Sequence, residues 1–290
     1  MGGTLRICSA RRNAPYNVRG RAVFLVRQLR RPEVVPQLLS HQRNPLGRTV
    51  RLLGWMAYHD AQDFGVRELA AAVGMAPSTV HRSLGALEEE GLIEPSTVIG
   101  RYRLSLGFYR LAMRGAQRAP LVELALPQLR EAARTGGETT LLALYSTTEL
   151  AALYVAEIPS RHPIQVRLPL HEWLPLTSCA AGLAILSGLS AETVVTVFSR
   201  GPTPVGASEL VDRLAEVRTR GFASLTNRSG SGVTELAAAF WGPGKQVVGA
   251  LAFVVPQPRA NPVLEASLGQ LLVDQAALVS KSLAGPAPAA

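Results

Sequence analysis

Val73-Gly74-Met75-Ala76-Pro77-Ser78-Thr79-Val80-His81-Arg82-Ser83-Leu84 reads as the end of one helix, a tight turn and the opening of a second helix. Glycine at 74 supplies the backbone freedom with which helices commonly stop, and Pro77 suits the first position of the next helix, where its missing N–H costs nothing. Past the turn the apolar residues recur at helical spacing. A rotation of about 100° per residue puts Val80, Leu84 and Leu87 on one stripe facing a core. The opposite face carries Ser78, His81, Arg82 and Gly85, and the pattern runs to about Glu90, where Gly91 ends it.

The neighbouring segments complete a unit over residues 46–105. Residues 66–73 form a short Ala-rich helix, and residues 48–59 a further one, with Val50, Leu53, Met56 and Ala57 at helical spacing. Downstream, residues 92–94 and 101–104 read as short strands around a loop containing Pro95 and Gly100. Helix, helix, turn, helix and hairpin in that order make a winged helix-turn-helix, whose second turn-linked helix lies in the major groove of double-stranded DNA.

The chemistry of the exposed face fits that role. Ser78 and Thr79, in the first turn, can donate to phosphate oxygens with the helix dipole behind them. Arg82 can fork onto the O6 and N7 of guanine, and His81 can meet base or phosphate. Alternation in the hairpin points Tyr102 and Leu104 one way and Arg101 and Arg103 the other, placing two arginines where a wing grips the DNA backbone or minor groove. The competing readings are a solvated surface arginine at 82, an idle glycine at 85 and a plain solvated edge strand at 101–104.

Charge is concentrated at the N-terminus. The chain has a formal net charge of +9, and residues 1–45 alone hold nine arginines against one acid, Glu33. Such a leader adds phosphate contacts through counterion release if it is an arm of the DNA-binding unit. A disordered leader, or one translated only from an overcalled start site, is the other reading.

Residues 106–119 form a linker helix, and Pro120 opens a second domain that reaches about residue 285, with 286–290 as a tail. A helix over 121–134 precedes strands at 139–145 and 150–157. Helices at 178–186, 191–199 and 208–220 lead to strands at 222–226, 233–239 and 247–255 and a terminal helix over 263–283. Strands at both ends with helices between them predict an antiparallel sheet with helices packed on it, and the whole chain is α+β. The apolar runs reach about half of the roughly 20 residues a spanning helix needs, so no membrane partner is expected. Cys8 and Cys179 lie too far apart in sequence to read as a disulfide framework or a zinc pair, and a reducing cytoplasm is the default setting.

The stretches Val66-Arg67-Glu68-Leu69-Ala70, Val73 to Leu84 as quoted, Leu87-Glu88-Glu89-Glu90-Gly91-Leu92 and Arg101-Tyr102-Arg103-Leu104 resemble the IclR family of transcription regulators, and the PSTVHR hexapeptide after a glycine turn is quite specific to it. Leu174-Pro175-Leu176-Thr177-Ser178 followed by Ala181-Gly182 resembles the family's LPLHAS-GAGKA segment, with Thr177 where histidine is usual and Leu183 where lysine is usual. The resemblance implies a GAF-like effector domain, dimers or tetramers, no cofactor, and control of a small operon. It also implies an effector cup lined by Val166, Leu174, Ala180, Ala181, Leu225, Val233, Glu235, Ala252 and Val254.

Family members that bind small carboxylates often carry hydroxyls or a cysteine at the positions mapped to Ala252, Val254 and Glu235. With an acid there and no donor cluster, an apolar or aromatic effector with a cationic or donor group fits better, unless the pocket is closed and the strand residues are plain core.

Two rival classes compete with this reading. A DNA-binding head fused to an enzyme needs a phosphate-cradling loop, but Arg228-Ser229-Gly230-Ser231-Gly232 and Gly242-Pro243-Gly244-Lys245 match neither the P-loop nor the GxGxxG spacing. His41, His59, His81, His162 and His171 show no metal-ligand spacing, and Ser178 beside Cys179 has no recognisable base. The other rival is a ligand-independent regulator whose second domain binds a protein.

Overall fold

The computed structural model describes residues 16–18, 21–25, 44–59, 61–116, 120–200, 206–226 and 232–284. Two compact units result, one within residues 31–120 and one from 121 onward together with the strands near the N-terminus. Those strands, β1 (Tyr16–Val18) and β2 (Arg21–Leu25), pair antiparallel. The rest of the arginine-rich leader up to residue 43, the 286–290 tail and most of the 228–232 glycine cluster lie outside the described residues.

The first unit begins with α1 (Pro45–Tyr58), capped by Asn44, whose side chain accepts the Leu46 N–H at 3.0 Å. The two-residue strand β3 (Phe64–Gly65) leads into α2 (Val66–Val73). That helix stops at Gly74, whose φ of +65° places it in the left-handed region while its N–H returns to the Ala70 carbonyl. The turn delivers the chain to α3 (Pro77–Glu89) with proline at its start, as the sequence predicts.

The strands β4 (Ile93–Pro95) and β5 (Arg101–Leu104) form the hairpin, and β3 joins it in the order β3-β5-β4. Val80, Leu84 and Leu87 of α3 are buried against Leu52 and Met56 of α1, Leu69 of α2 and Ile93 of β4. Each fully buried leucine contributes about 1.5–3 kcal/mol, so this small core is sufficient to fix the attitude of α3.

The helix α4 (Leu106–Ala116) follows the hairpin directly. At Gly107 a Cβ would sit 2.2 Å from the Gly91 carbonyl oxygen, so only glycine permits this approach. The Ser105 hydroxyl donates to the same carbonyl, and the start of α4 is thereby tied to the end of α3.

The second unit opens with α5 (Pro120–Gly136), then β6 (Thr139–Ser146), β7 (Ala151–Ile158), β8 (Gln165–Arg167) and β9 (Trp173–Pro175). The helices α6 (Ala180–Ser187), α7 (Ala191–Ser199) and α8 (Ala207–Arg220) precede β10 (Ala223–Thr226), β11 (Val233–Trp241), β12 (Val247–Pro256) and α9 (Pro262–Ala284). Six strands form one fully antiparallel sheet in the order β10-β11-β12-β6-β7-β9, while β8 runs parallel to β2 beside it.

Alternation gives the central strands β11 and β12 two buried faces. Leu236, Phe240, Leu251 and Phe253 pack on α5 and α9; Ala237, Ala250, Ala252 and Val254 face α6 and α8. The sheet is thus sandwiched between helical layers, and α6 is buried along residues 180–186.

Candidate functional site

On α3, Ser78, His81 and Arg82 are exposed and Thr79 is half-buried. The N-cap is Ala76, which provides no side-chain acceptor for the first turn. Nothing lies within 4 Å of where a Cβ would stand at Gly85, so that part of the face is open. Among the described residues Arg82 has no ion-pair partner. Ser83 turns the other way and accepts a hydrogen bond from the Thr49 hydroxyl at 3.1 Å, pinning α3 to α1. The face is therefore rigidly held, positively charged and unencumbered.

The hairpin arginines are placed differently from the expectation. Arg101 turns its guanidinium inward, donating to the Asp63 carboxylate, to the Asp63 carbonyl at 2.8 Å and to the Glu68 carboxylate at 2.9 Å. These bonds join the hairpin to α2 and to the segment before β3. The Arg101 hydrogen bond, with a second from Ser96, holds the Asp63 carboxyl below the usual carboxylate range. Of the two arginines expected at the wing, Arg101 is engaged with Asp63 and Glu68, while Arg103 is exposed and pairs with Glu94 at 2.7 Å. Strand alternation carries no signal that two acids, at 63 and 68, converge on one of the arginines.

In the second unit, the residues mapped to the effector cup belong to the core on the face of the sheet that packs against α6 and α8. Leu225, Glu235 and Val254 stand opposite one another on the adjacent strands β10, β11 and β12, and Ala252 and Val233 lie two positions along from that row on the same face. Ala180 and Ala181 of α6 pack on the same face, Val166 of β8 and Leu174 of β9, the opposite edge strand, belong to the same core, and all of these side chains are buried except the partly buried Leu225.

Polar groups outside the mapped lining stand beside Glu235. Glu235 accepts the backbone N–H of Ala180, the first residue of α6, at 3.1 Å. Burial pushes its carboxyl up to about 7, with the Ala180 N–H pulling it back down. Cys179, the N-cap of α6, accepts the Gly182 N–H at 3.3 Å, and burial pushes its thiol up to about 12. A thiol held neutral in this way is a poor nucleophile. Tyr154 is 1% exposed, and its hydroxyl, in the field of Glu235, has the weakly polar Cys179 thiol beside it and, among the described residues, no hydrogen-bond partner of good geometry.

Sequence reasoning misses Tyr154 altogether and takes Cys179 only as a small buried residue; nothing local to either position points to Glu235. No group of three or more potential metal ligands occurs among the described residues, and none of their helices is long and apolar enough to cross a membrane.

Comparison with known proteins agrees with this geometry. Residues 45–96 match the IclR helix-turn-helix domain, and residues 113–281 match the bacterial transcriptional regulator IclR C-terminal domain. The chain is 24% identical to the transcriptional repressor IclR of Escherichia coli over 263 residues, 88% of this chain and 96% of that one. It is 30% identical to the regulator TtgV of Pseudomonas putida over 200 residues, 67% of this chain and 74% of that one.

Among solved structures, an IclR-type regulator from Alicyclobacillus acidocaldarius superposes with a TM-score of 0.73 at 21% identity, covering 83% of this chain and 98% of that one. An IclR homologue from Microbacterium hydrocarbonoxydans, solved in complex with 4-hydroxybenzoate, superposes with a TM-score of 0.68 at 23% identity, covering 83% and 99%. With one model spanning the helix-turn-helix and another more than half of the sequence, the chain belongs to the IclR family of DNA-binding transcriptional regulators, with an effector-binding C-terminal domain.

Proposed function

We propose that this regulator binds a pseudopalindromic operator as a homodimer, or as a tetramer of two such dimers, with α3 of each copy in the major groove and an aromatic or lipophilic effector in the cup altering that binding. One observation carries the DNA half of the reading: the open face of α3, where exposed Arg82 has no ion-pair partner among the described residues and Ser78 and Thr79 occupy the first helical turn. One short helix spans a single half-site, and two-fold symmetry doubles it. The helix α4 supports self-association, because Leu106, Tyr109 and Met113 form an exposed apolar stripe at helical spacing, 82%, 62% and 42% accessible, on a unit that a second copy would meet at the operator.

The effector half is supported by the mapped residues sharing one core under α6, and the 4-hydroxybenzoate bound by the Microbacterium homologue supports an aromatic occupant. The named repressors among the relatives favour repression, exercised in the cytoplasm. Footprinting on DNA upstream of the gene tests the assignment. Arg82→Ala should weaken operator binding by about 1–3 kcal/mol and relax preference at one base position. Binding of operator and random DNA indistinguishable from that of the unaltered protein would sink the assignment of α3.

A further inference from the structure

The buried polar end of the cup holds three polar groups, two of which the fold leaves incompletely partnered. Glu235 is 3% exposed and, among the described residues, has no cation in an ion pair with it; the one hydrogen bond found to its carboxylate is the Ala180 N–H. Among the described residues the buried Tyr154 hydroxyl has no hydrogen-bond partner of good geometry, and the Cys179 thiol neighbours both groups as a weakly polar contact. An unsatisfied buried hydroxyl is costly, so a fold keeps one where something else completes it. The positive end of α6 is already occupied by the carboxylate of Glu235, which stands where an incoming anion would otherwise be received. The strand neighbours of Glu235 on this face are apolar: Leu225 and Val254 on the flanking strands, and Val233 and Ala252 two positions along.

We propose that Glu235 and Tyr154 form a two-point anchor for an uncharged ligand that carries a hydrogen-bond donor next to an acceptor on an apolar body, as a primary carboxamide or a lactam does. The donor N–H meets the Glu235 carboxylate and the acceptor carbonyl takes the Tyr154 O–H, so both incomplete groups are satisfied by one planar head. A carboxylate offers no donor and meets Glu235 charge to charge. The proposal rests on the reading of the cup as the effector site and narrows the class of ligand it admits.

Three probes of equal apolar size separate the possibilities: benzamide, benzylammonium and benzoate, titrated calorimetrically into the full chain at pH 8, where Glu235 is ionised and the Tyr154 and Cys179 groups facing it are neutral. Benzamide should bind and benzoate should not. Tyr154→Phe should weaken benzamide about tenfold, the worth of one buried hydrogen bond, and leave benzylammonium unchanged because that probe has no acceptor. Glu235→Gln should weaken benzylammonium and admit benzoate.

The unliganded Tyr154→Phe protein should melt no lower than the parent, since it loses a hydroxyl without a good partner. A clear drop in its melting temperature, or undiminished benzamide binding, would overturn the anchor. Benzoate binding as tightly as benzamide would overturn the ligand class while leaving the cup as the effector site. If no probe binds while operator binding persists, the cup reading fails with it and the DNA-binding assignment stands.

Discussion

Arg82 and Arg101 sit in the same unit with the same charge, and their surroundings give them different work. Arg82 stands on an open helical face, whereas Arg101 is held by Asp63 and Glu68 and stitches the hairpin to α2. Arg101→Ala should therefore lower the melting temperature of the helix-turn-helix unit by a few degrees while leaving the salt dependence of operator binding nearly unchanged. A salt slope reduced by about one, without loss of stability, would instead mark it as a phosphate contact. Glu235 gives a prediction in pH. Its carboxyl titrates near the ordinary 4.5 when unfolded and near about 7 when folded, so the folded state binds the proton more tightly. Its contribution to stability is fully present below pH 4.5, fades as the pH rises through about 7 and is level above that. Denaturant titrations across this window should show the slope in the parent protein and lose that part of it in Glu235→Gln.

The helices and the long strands were legible because each has enough residues to display a period. The burial of Val80, Leu84 and Leu87 follows the stripe read from the sequence, and β11 and β12 extend only slightly past their expected ends. The strands β3, β8 and β9 have two or three residues each, too few for an alternation to register, and none was expected. The hydrogen bond between two residues that the family resemblance had already named, Ala180 and Glu235, was hidden for a related reason: they are 55 positions apart, and the pairing of β11 with β10 and β12 under α6 brings them together. Tyr154 arrives from a further strand, β7, whose register against β6 shifts between Leu142 and Ala143, an irregularity that alternation alone does not foresee. The helix α4 gives the prediction that belongs to an element. Tyr109→Glu puts a charge in the middle of its apolar stripe and should shift the protein toward monomer in sedimentation velocity, with operator affinity falling as dimers dissociate. Unchanged sedimentation would remove α4 from the interface.

For the molecule as a whole, the excess charge lies ahead of the DNA-reading unit. A truncation at residue 45 would also strip β2 from its pairing with β8, so replacing Arg6, Arg11 and Arg12 with glutamine is the cleaner experiment. If the leader neutralises phosphates, the slope of log affinity against log salt should flatten by about one for each phosphate left without its arginine, with the preferred sequence unchanged. An unaltered slope would make the leader a bystander. The close approach of Gly107 to Gly91 bears on a different matter, the engineering of hybrid regulators. Families of this architecture invite the exchange of one sensory module for another, and the end of the hairpin at Leu104 looks like the natural seam. It is the wrong place to cut. The first turn of α4 is built into the DNA-reading unit through a glycine pair that no other residues can reproduce, so a foreign sequence spliced at 105 would bring a side chain into the Gly91 carbonyl. A transplantable head ends after Ala116 and carries its whole linker helix with it.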